Sequence, residues 1–102
     1  MSIYNDLKSI GIPVAYSHFK ERQIPPYLIY MGNGQNQKLA ENTIYLKDNH
    51  YRVEFYFLLK NETIEDKIES ALLDSGWIYE KSEDIYIEDE EIYMIYYSVR
   101  RK

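Results

Sequence analysis

Two histidines, His18 and His50, are the side chains of this sequence best suited to bind a transition metal. Proteins hold such metals with several His, Cys or carboxylate ligands at short, recurring spacings. Neither histidine stands in such a spacing, and the chain contains no cysteine. The sequence therefore predicts surface or turn histidines, no metal site and no cysteine nucleophile.

Acidic residues are densest between positions 83 and 91, where six of nine residues are Glu or Asp. Such a run could gather calcium, but it lacks the alternating acidic positions and the fixed glycine of an EF-hand loop. We interpret it as a solvated charge cluster that protects a sheet edge. The run, with Glu88 and Glu90, could also meet a basic partner, such as Arg100-Arg101-Lys102 of a neighbouring copy.

Asp48 and Glu54 raise the question of a metal-dependent nuclease, because they stand on adjacent predicted strands. Such nucleases hold a metal with two carboxylates and place a lysine two residues beyond the second one. Tyr56 occupies that position, and a formal net charge of −5 disfavours binding to nucleic acid. A nuclease is the least supported alternative, and we expect no catalytic residues, no cofactor and no nucleic-acid specificity.

Size and composition indicate one domain over residues 1–102, with a modest core. The start of the chain lacks a signal-peptide pattern, and no apolar run approaches the roughly 20 residues of a membrane helix. Twelve residues are tyrosine. Tyrosine combines apolar area with a polar tip, so it suits half-buried strands and protein interfaces, although an A/T-rich genome would also favour it.

Alternating residue types predict a strand over residues 51–59, around which the other elements are arranged. Its predicted core face consists of Tyr51, Val53, Phe55, Phe57 and Leu59. Tyr56 and Leu58 make the opposite face apolar as well near the end of the strand. This pattern indicates cover on both sides.

The remaining pattern predicts two helices, one from Ser2 to Gly11 and one from Asn61 to Gly76. Further strands are predicted at 12–16, 27–31, 43–47, 77–81 with 85–87 as one strand or two pieces, and 91–99. We expect a hairpin turn at Asp48-Asn49 and an exposed, mobile loop at about 32–42. The order α-β-β-β-β-α-β-β predicts an α+β fold whose mixed, mainly antiparallel sheet has about five or six strands.

The predicted last strand is apolar on both faces, with Tyr93 and Tyr97 on one face and Tyr96 on the other. It is therefore either central in the sheet or part of an oligomer contact.

Aromatic residues and prolines recur in a pattern that covers nearly the whole chain. It includes Ile12-Pro13-Val14-Ala15-Tyr16 with Phe19, Pro25-Pro26-Tyr27-Leu28-Ile29-Tyr30, Tyr51-Arg52-Val53-Glu54-Phe55-Tyr56 and Gly76-Trp77. In these segments the sequence resembles small tail-completion or tail-terminator proteins, which join head and tail in long-tailed phages and prophages of Gram-positive bacteria. The resemblance implies an α+β protein, not an enzyme, in the virion tail and, during assembly, in the host cytoplasm.

The same resemblance implies a homo-oligomeric ring, commonly a hexamer, that caps the tail tube and contacts the major tail-tube protein and a head-connector protein. The interface residues we would choose are Tyr93, Tyr96, Tyr97, Glu88, Glu90, Arg100 and Arg101, with tyrosines as the apolar part and charges as complementary rims. A prophage-encoded binding module that acts on one host protein would use the same aromatic surface without self-assembly, and it is the main alternative.

Overall fold

The computed structural model of the chain describes residues 2–32 and 49–101. Within these ranges the elements are α1 Ile3–Lys8, β1 Val14–Tyr16, β2 Tyr27–Gly32, β3 Asn49–Phe57, α2 Glu62–Asp74, β4 Ile78–Lys81, β5 Ile85–Ile87 and β6 Ile92–Arg101. The fold is α+β, which confirms the predicted class and the order of these elements. The strand predicted at 43–47 and nearly all of the loop predicted at about 32–42 lie outside the described residues.

Both helices begin at the residues that the sequence indicates. The Ser2 hydroxyl accepts a hydrogen bond from the Asn5 amide at 3.2 Å, and the Asn61 side chain accepts one from the Ile64 amide at 3.1 Å. These side chains provide hydrogen-bond acceptors for amide groups of the first helical turn, which have no acceptor within the helix. After α2, Gly76 has a φ of 86°, a backbone conformation that glycine adopts without the steric cost of a side chain.

The described strands form one six-stranded sheet in which β6 is an interior strand, with β3 on one side and β4 and β5 on the other. The order is β1-β2-β3-β6-β4, and β5 pairs with β6 beside β4. Among the described strands only β1 and β2 are parallel, so the sheet is mainly antiparallel, as predicted. The 77–87 region forms two strands, because the three residues 82–84 face only two residues of β6; the Ser82 hydroxyl accepts a hydrogen bond from the Tyr96 amide at 2.9 Å.

The hydrophobic core lies between the two helices and one face of the sheet. It contains Ile3, Leu7, Leu28, Val53, Phe55, Phe57, Ile68, Leu72, Trp77, Ile95, Tyr97 and Val99. The alternating residues of β3 and β6 point to this face together because the two strands are in register, with Val53 opposite Tyr97 and Phe55 opposite Ile95.

The predicted end of the central strand is wrong by two residues. β3 ends at Phe57, and Leu58 and Leu59 are 50% and 82% exposed instead of covered. The chain must turn out of the sheet here, because the α2 cap at Asn61 follows within four residues of Phe57. At the other end, Asn49 is the first residue of β3 rather than part of a turn, and Asp48 lies outside the described residues.

The opposite face of the sheet has a small apolar cluster of its own. Ile29, Ile92 and Met94 are buried there, although they do not belong to the main core. The segment between β1 and β2 crosses near them, where the Phe19 ring meets the Tyr27 ring edge-on at 5.3 Å. In the described ranges, neither helix is long and apolar enough to cross a membrane.

Candidate assembly surface

The interior strand β6 runs the length of the sheet and so connects two opposite ends of the subunit. Phe57 pairs with Tyr93 near its beginning, whereas His50 and Ile78 both pair with Arg100 near its end. Ten residues of extended chain span about 30 Å. This separation matters because the two ends differ in chemistry.

At the end of the subunit where β6 begins, four large apolar side chains are exposed. We call this surface, together with the acidic turn between β5 and β6, the acidic end. The four are Leu58, Leu59, Tyr86 and Tyr93. Tyr93 stacks on Phe57 at 5.5 Å and contacts Tyr86 at 5.0 Å, so the rings form a short aromatic row across three strands. They make up half of the eight large hydrophobic residues that are exposed in the described part of the chain.

The turn between β5 and β6 adds negative charge to this end. It consists of the exposed residues Glu88, Asp89, Glu90 and Glu91, and the Glu91 amide donates to the Ile87 carbonyl at 2.8 Å. None of the four carboxylates forms an ion pair with a described residue. Arg22 lines the same cavity as Glu90 but makes no ion pair with it, so no direct pair within the described residues relieves the mutual repulsion of these carboxylates.

The opposite end, which we call the basic end, is formed by His50, Ile78 and Arg100. Ile78 is 60% exposed, and Arg100 is exposed and makes no ion pair with any described residue. A shallow cavity of about 270 Å³ lies here and is lined by His50, Ile78, Tyr79, Glu80, Ser98, Val99 and Arg100. The surface thus combines an apolar side chain, a concave site and a cation. Lys102 lies outside the described residues.

The tyrosines chosen from the sequence are divided between the two faces of β6. Tyr93 is exposed at the acidic end, and Tyr96 is half-buried on the face opposite the helices, where the Arg52 guanidinium lies 4.0 Å from its ring centre. Tyr97 is fully buried in the core, and its hydroxyl donates to Glu69 Oε2 at 2.9 Å. Tyr97 therefore has no surface to offer a partner, and we leave it out of the assembly surface.

The two arginines at the end of β6 also have different surroundings. Arg101 is held within the subunit: its Nη1 donates to the Ser75 carbonyl at 2.9 Å and lies 3.6 Å from Asp6 Oδ2. Its guanidinium also stacks at 4.2 Å over Trp77, whose indole donates to Asp6 at 2.9 Å. Arg101 joins α1, α2 and β6, and Arg100 is the arginine that remains for contacts outside the subunit.

A charged network that the sequence did not indicate connects α2 to β4 and β6. Glu65 is 2% exposed, and Lys81 reaches both Glu65 Oε1 at 2.9 Å and Glu69 Oε2 at 2.7 Å. Lys60 lies 2.9 Å from Glu65 Oε2, but no donor meets that oxygen at a hydrogen-bonding angle, so this contact is an ion pair. Because buried charges require such partners, the network fixes α2 on the sheet.

The pKa values in this network are shifted by the competition between burial and pairing. Burial alone would raise the pKa of Glu69, but hydrogen bonds from Lys81 and Tyr97 outweigh it and hold that pKa below its usual value. Burial would lower the pKa of Lys81, yet its hydrogen bonds to Glu69 and Glu65 raise it. Burial and the hydrogen bond to Glu69 raise the pKa of Tyr97. All three shifts favour the paired charges and the neutral phenol at neutral pH.

Glu54, the carboxylate considered for a nuclease, is already occupied by protein donors. Arg52 Nε donates to one of its oxygens at 2.9 Å and the Tyr56 hydroxyl donates to the other at 2.7 Å. Burial and this hydrogen bond raise the pKa of Tyr56. Among the described residues, no three His, Asp or Glu side chains lie close enough to share a metal ion. Asp48, the other carboxylate considered, lies outside these residues.

Leu58, Leu59 and Tyr86 belong to the acidic end, but sequence reasoning missed them. The exposure of the two leucines could have been predicted from Asn61. A residue that caps a helix so soon after a strand requires the residues between them to lie at the end of the sheet. The signal for the buried Glu65 was its spacing from Ile68 and Leu72, which places it on the apolar stripe of α2. No comparable signal distinguishes Tyr86 from the other tyrosines of the hairpin.

Comparisons of this chain with protein-family models, with curated proteins and with solved structures find no match.

Proposed function

We propose that this chain is a structural assembly protein of a phage or prophage tail, which forms a ring that caps the tail tube and joins it to the head connector. The observation that carries the proposal is the contrast between the two ends of β6. An exposed apolar surface beside carboxylates lies at one end and a cavity beside Arg100 at the other, and neither these carboxylates nor Arg100 form an ion pair with a described residue.

Two unlike surfaces on one subunit are what a head-to-tail contact requires. Such heterologous contacts close into rings when the rotation between subunits closes, whereas a symmetric dimer uses the same patch twice. Assembly in the tail also agrees with the sequence resemblance to tail-completion and tail-terminator proteins. A hexamer, the tail-tube protein and the head-connector protein as neighbours, and a location in the virion tail belong to the same proposal, and they rest on the resemblance.

The catalytic alternatives have less support in the described residues. Glu54 is occupied by Arg52 and Tyr56, and the charged side chains of the network on α2 pair with one another. The proposed role is therefore one of assembly, without a cofactor and without direct recognition of nucleic acid.

The proposed function is tested by deletion of the gene from a phage or inducible prophage, followed by electron microscopy of the particles. We expect tails of uncontrolled length or tails that are not joined to heads, and complementation with the wild-type chain should restore normal virions. Normal tails after deletion would refute the proposal. Microscopy also separates it from a host-directed binding module, because loss of such a module would leave virion structure intact.

A further inference from the structure

The acidic end of one subunit has the properties of a surface that contacts the basic end of another copy. We infer that Leu58, Leu59, Tyr86 and Tyr93 of one copy pack against Ile78 and the adjacent cavity of the next, with Glu88 and Glu90 facing Arg100. This inference rests on the proposed ring and identifies the two surfaces that would form each of its junctions.

Electrostatics indicates a second copy as the occupant. The acidic turn and Arg100 lie about 30 Å apart within one subunit, because β6 separates them. Charges interact only weakly through water beyond a Debye length, which is about 8 Å at physiological ionic strength. The four carboxylates and Arg100, which form no ion pair with a described residue, therefore cannot neutralise each other within a subunit, but they meet when copies associate head to tail.

The shapes and apolar content of the two ends also agree with this contact. Leu59 is 82% exposed and, with Leu58, lines a cavity of about 200 Å³ where the chain leaves the sheet, while the basic end is concave beside Ile78. The cavity of about 270 Å³ has room for one large side chain. Glu80 also lines it and lies opposite Ser98, on the same face as Arg100, but no ion pair joins these two side chains, so Arg100 is still placed to meet an acidic partner.

The size of the apolar surface predicts a contact of moderate affinity. If each side chain has about 200 Å² of surface, the four exposed side chains at the acidic end offer on the order of 400 Å². A stable interface buries roughly 800 Å² per partner, so one junction alone is weak and ring closure supplies further stability. Association is therefore to be measured up to millimolar concentration.

Two blocked variants test the inference. The first carries Leu59→Asp and Tyr86→Asp at the acidic end, and the second carries Ile78→Asp and Arg100→Glu at the basic end. Sedimentation and light scattering should show that the wild-type chain associates and that each variant alone stays monomeric. Because burial of one leucine corresponds to a factor of about 10–100 in affinity, the loss should be at least about tenfold.

Mixing the two variants provides the decisive result. Each retains one intact end, so the mixture should form a one-to-one dimer and nothing larger, with an affinity close to that of a wild-type junction. The two altered ends of the mixed variants cannot form a second junction with each other, because the substitutions add acidic side chains to both. A control with Tyr16→Asp and Lys67→Glu changes charge as much as the basic-end variant, at exposed sites outside both ends, and should associate like wild type.

The outcomes separate the inference from the proposed function. If wild type associates but either variant alone does so equally well, or if the mixture gives no dimer, another surface such as a sheet edge forms the contact and the inference is wrong. If wild type stays monomeric at every concentration, even with tail-tube protein added, both the inference and the ring fail. Circular dichroism and the emission of Trp77 should confirm that each variant is folded.

Discussion

Replacement of Tyr97 by phenylalanine removes a single hydroxyl from the interior of the subunit and leaves the apolar core unchanged. In the wild type, this hydroxyl donates to Glu69 Oε2 at 2.9 Å, and Tyr97 is fully buried. The carboxylate keeps Lys81 at 2.7 Å and Tyr79 at 3.2 Å, so it remains ionised in the variant. The substitution therefore measures one charge-assisted hydrogen bond.

The expected loss of stability follows from the partners of that bond. Hydrogen bonds to charged groups contribute about 1.5–3 kcal/mol. The Glu69 side chain is 20% exposed, so water partly replaces the lost donor, and we expect a value near the lower limit, about 1.5 kcal/mol. For a domain of this size, that corresponds to a decrease in Tm of roughly 6–12 °C.

Urea denaturation, followed by the emission of the single tryptophan, gives the change in the free energy of unfolding. Tyr93→Phe is the matched control, because Tyr93 lies on the same face of β6 with an exposed ring and should change stability by less than about 0.5 kcal/mol. A double-mutant cycle with Glu69→Gln should give a coupling energy of about 1 kcal/mol. A loss below about 0.5 kcal/mol, or no coupling to Glu69, would refute this account of Tyr97, as would a loss of self-association in a variant that folds normally.

Three further results are expected. Pairing lowers the pKa of Glu69 in the folded state, so its charge contributes stability above the ordinary value of 4.5. This stability is lost as the pH falls through the lower pKa of the folded state. Urea midpoints measured between pH 5 and pH 3 should therefore fall less steeply in Glu69→Gln than in wild type. Glu91 has a φ of 57°, which glycine adopts more easily, so Glu91→Gly should raise the free energy of unfolding by about 0.5 kcal/mol. Glu90 does not have a positive φ, so Glu90→Gly should lower the free energy of unfolding. Equal effects of the two substitutions would contradict the explanation from backbone conformation. Asp6→Ala leaves the buried indole N–H of Trp77 without its acceptor and should lower the free energy of unfolding by about 1–3 kcal/mol. An unchanged thermal transition would show that this hydrogen bond at 2.9 Å does not contribute to stability.

Local patterns were sufficient to predict most of the fold. Ser2 and Asn61 are short polar side chains that satisfy the first amides of a helix, and they begin both helices. The alternation at Val53, Phe55 and Phe57 predicted their shared core face because side chains alternate along any extended chain. The apolar character of both faces of the last strand indicated either a position inside the sheet or an oligomer contact, and the sheet order shows the first.

The assembly surface was predictable only in part, because it depends on how elements meet. The sequence indicated Tyr93, Glu88, Glu90 and Arg100 as surface contacts, and all four are exposed. It could not separate them from Tyr97, since both tyrosines have the same alternation and only packing of α2 over β6 buries the second one.

The sequence alone determined the features that depend on short stretches of chain. These are the helix caps, the alternation of residues in the strands, the turns and the α+β class. The tertiary structure decided which members of each pattern became interior and which became surface. It placed Leu59 outside, since the entry into α2 ends β3 at Phe57, and it engaged Arg101 with Asp6 while Arg100 stayed exposed. The physical reason is that burial and charge pairing depend on neighbours from distant parts of the chain, which only the packed sheet and helices bring together.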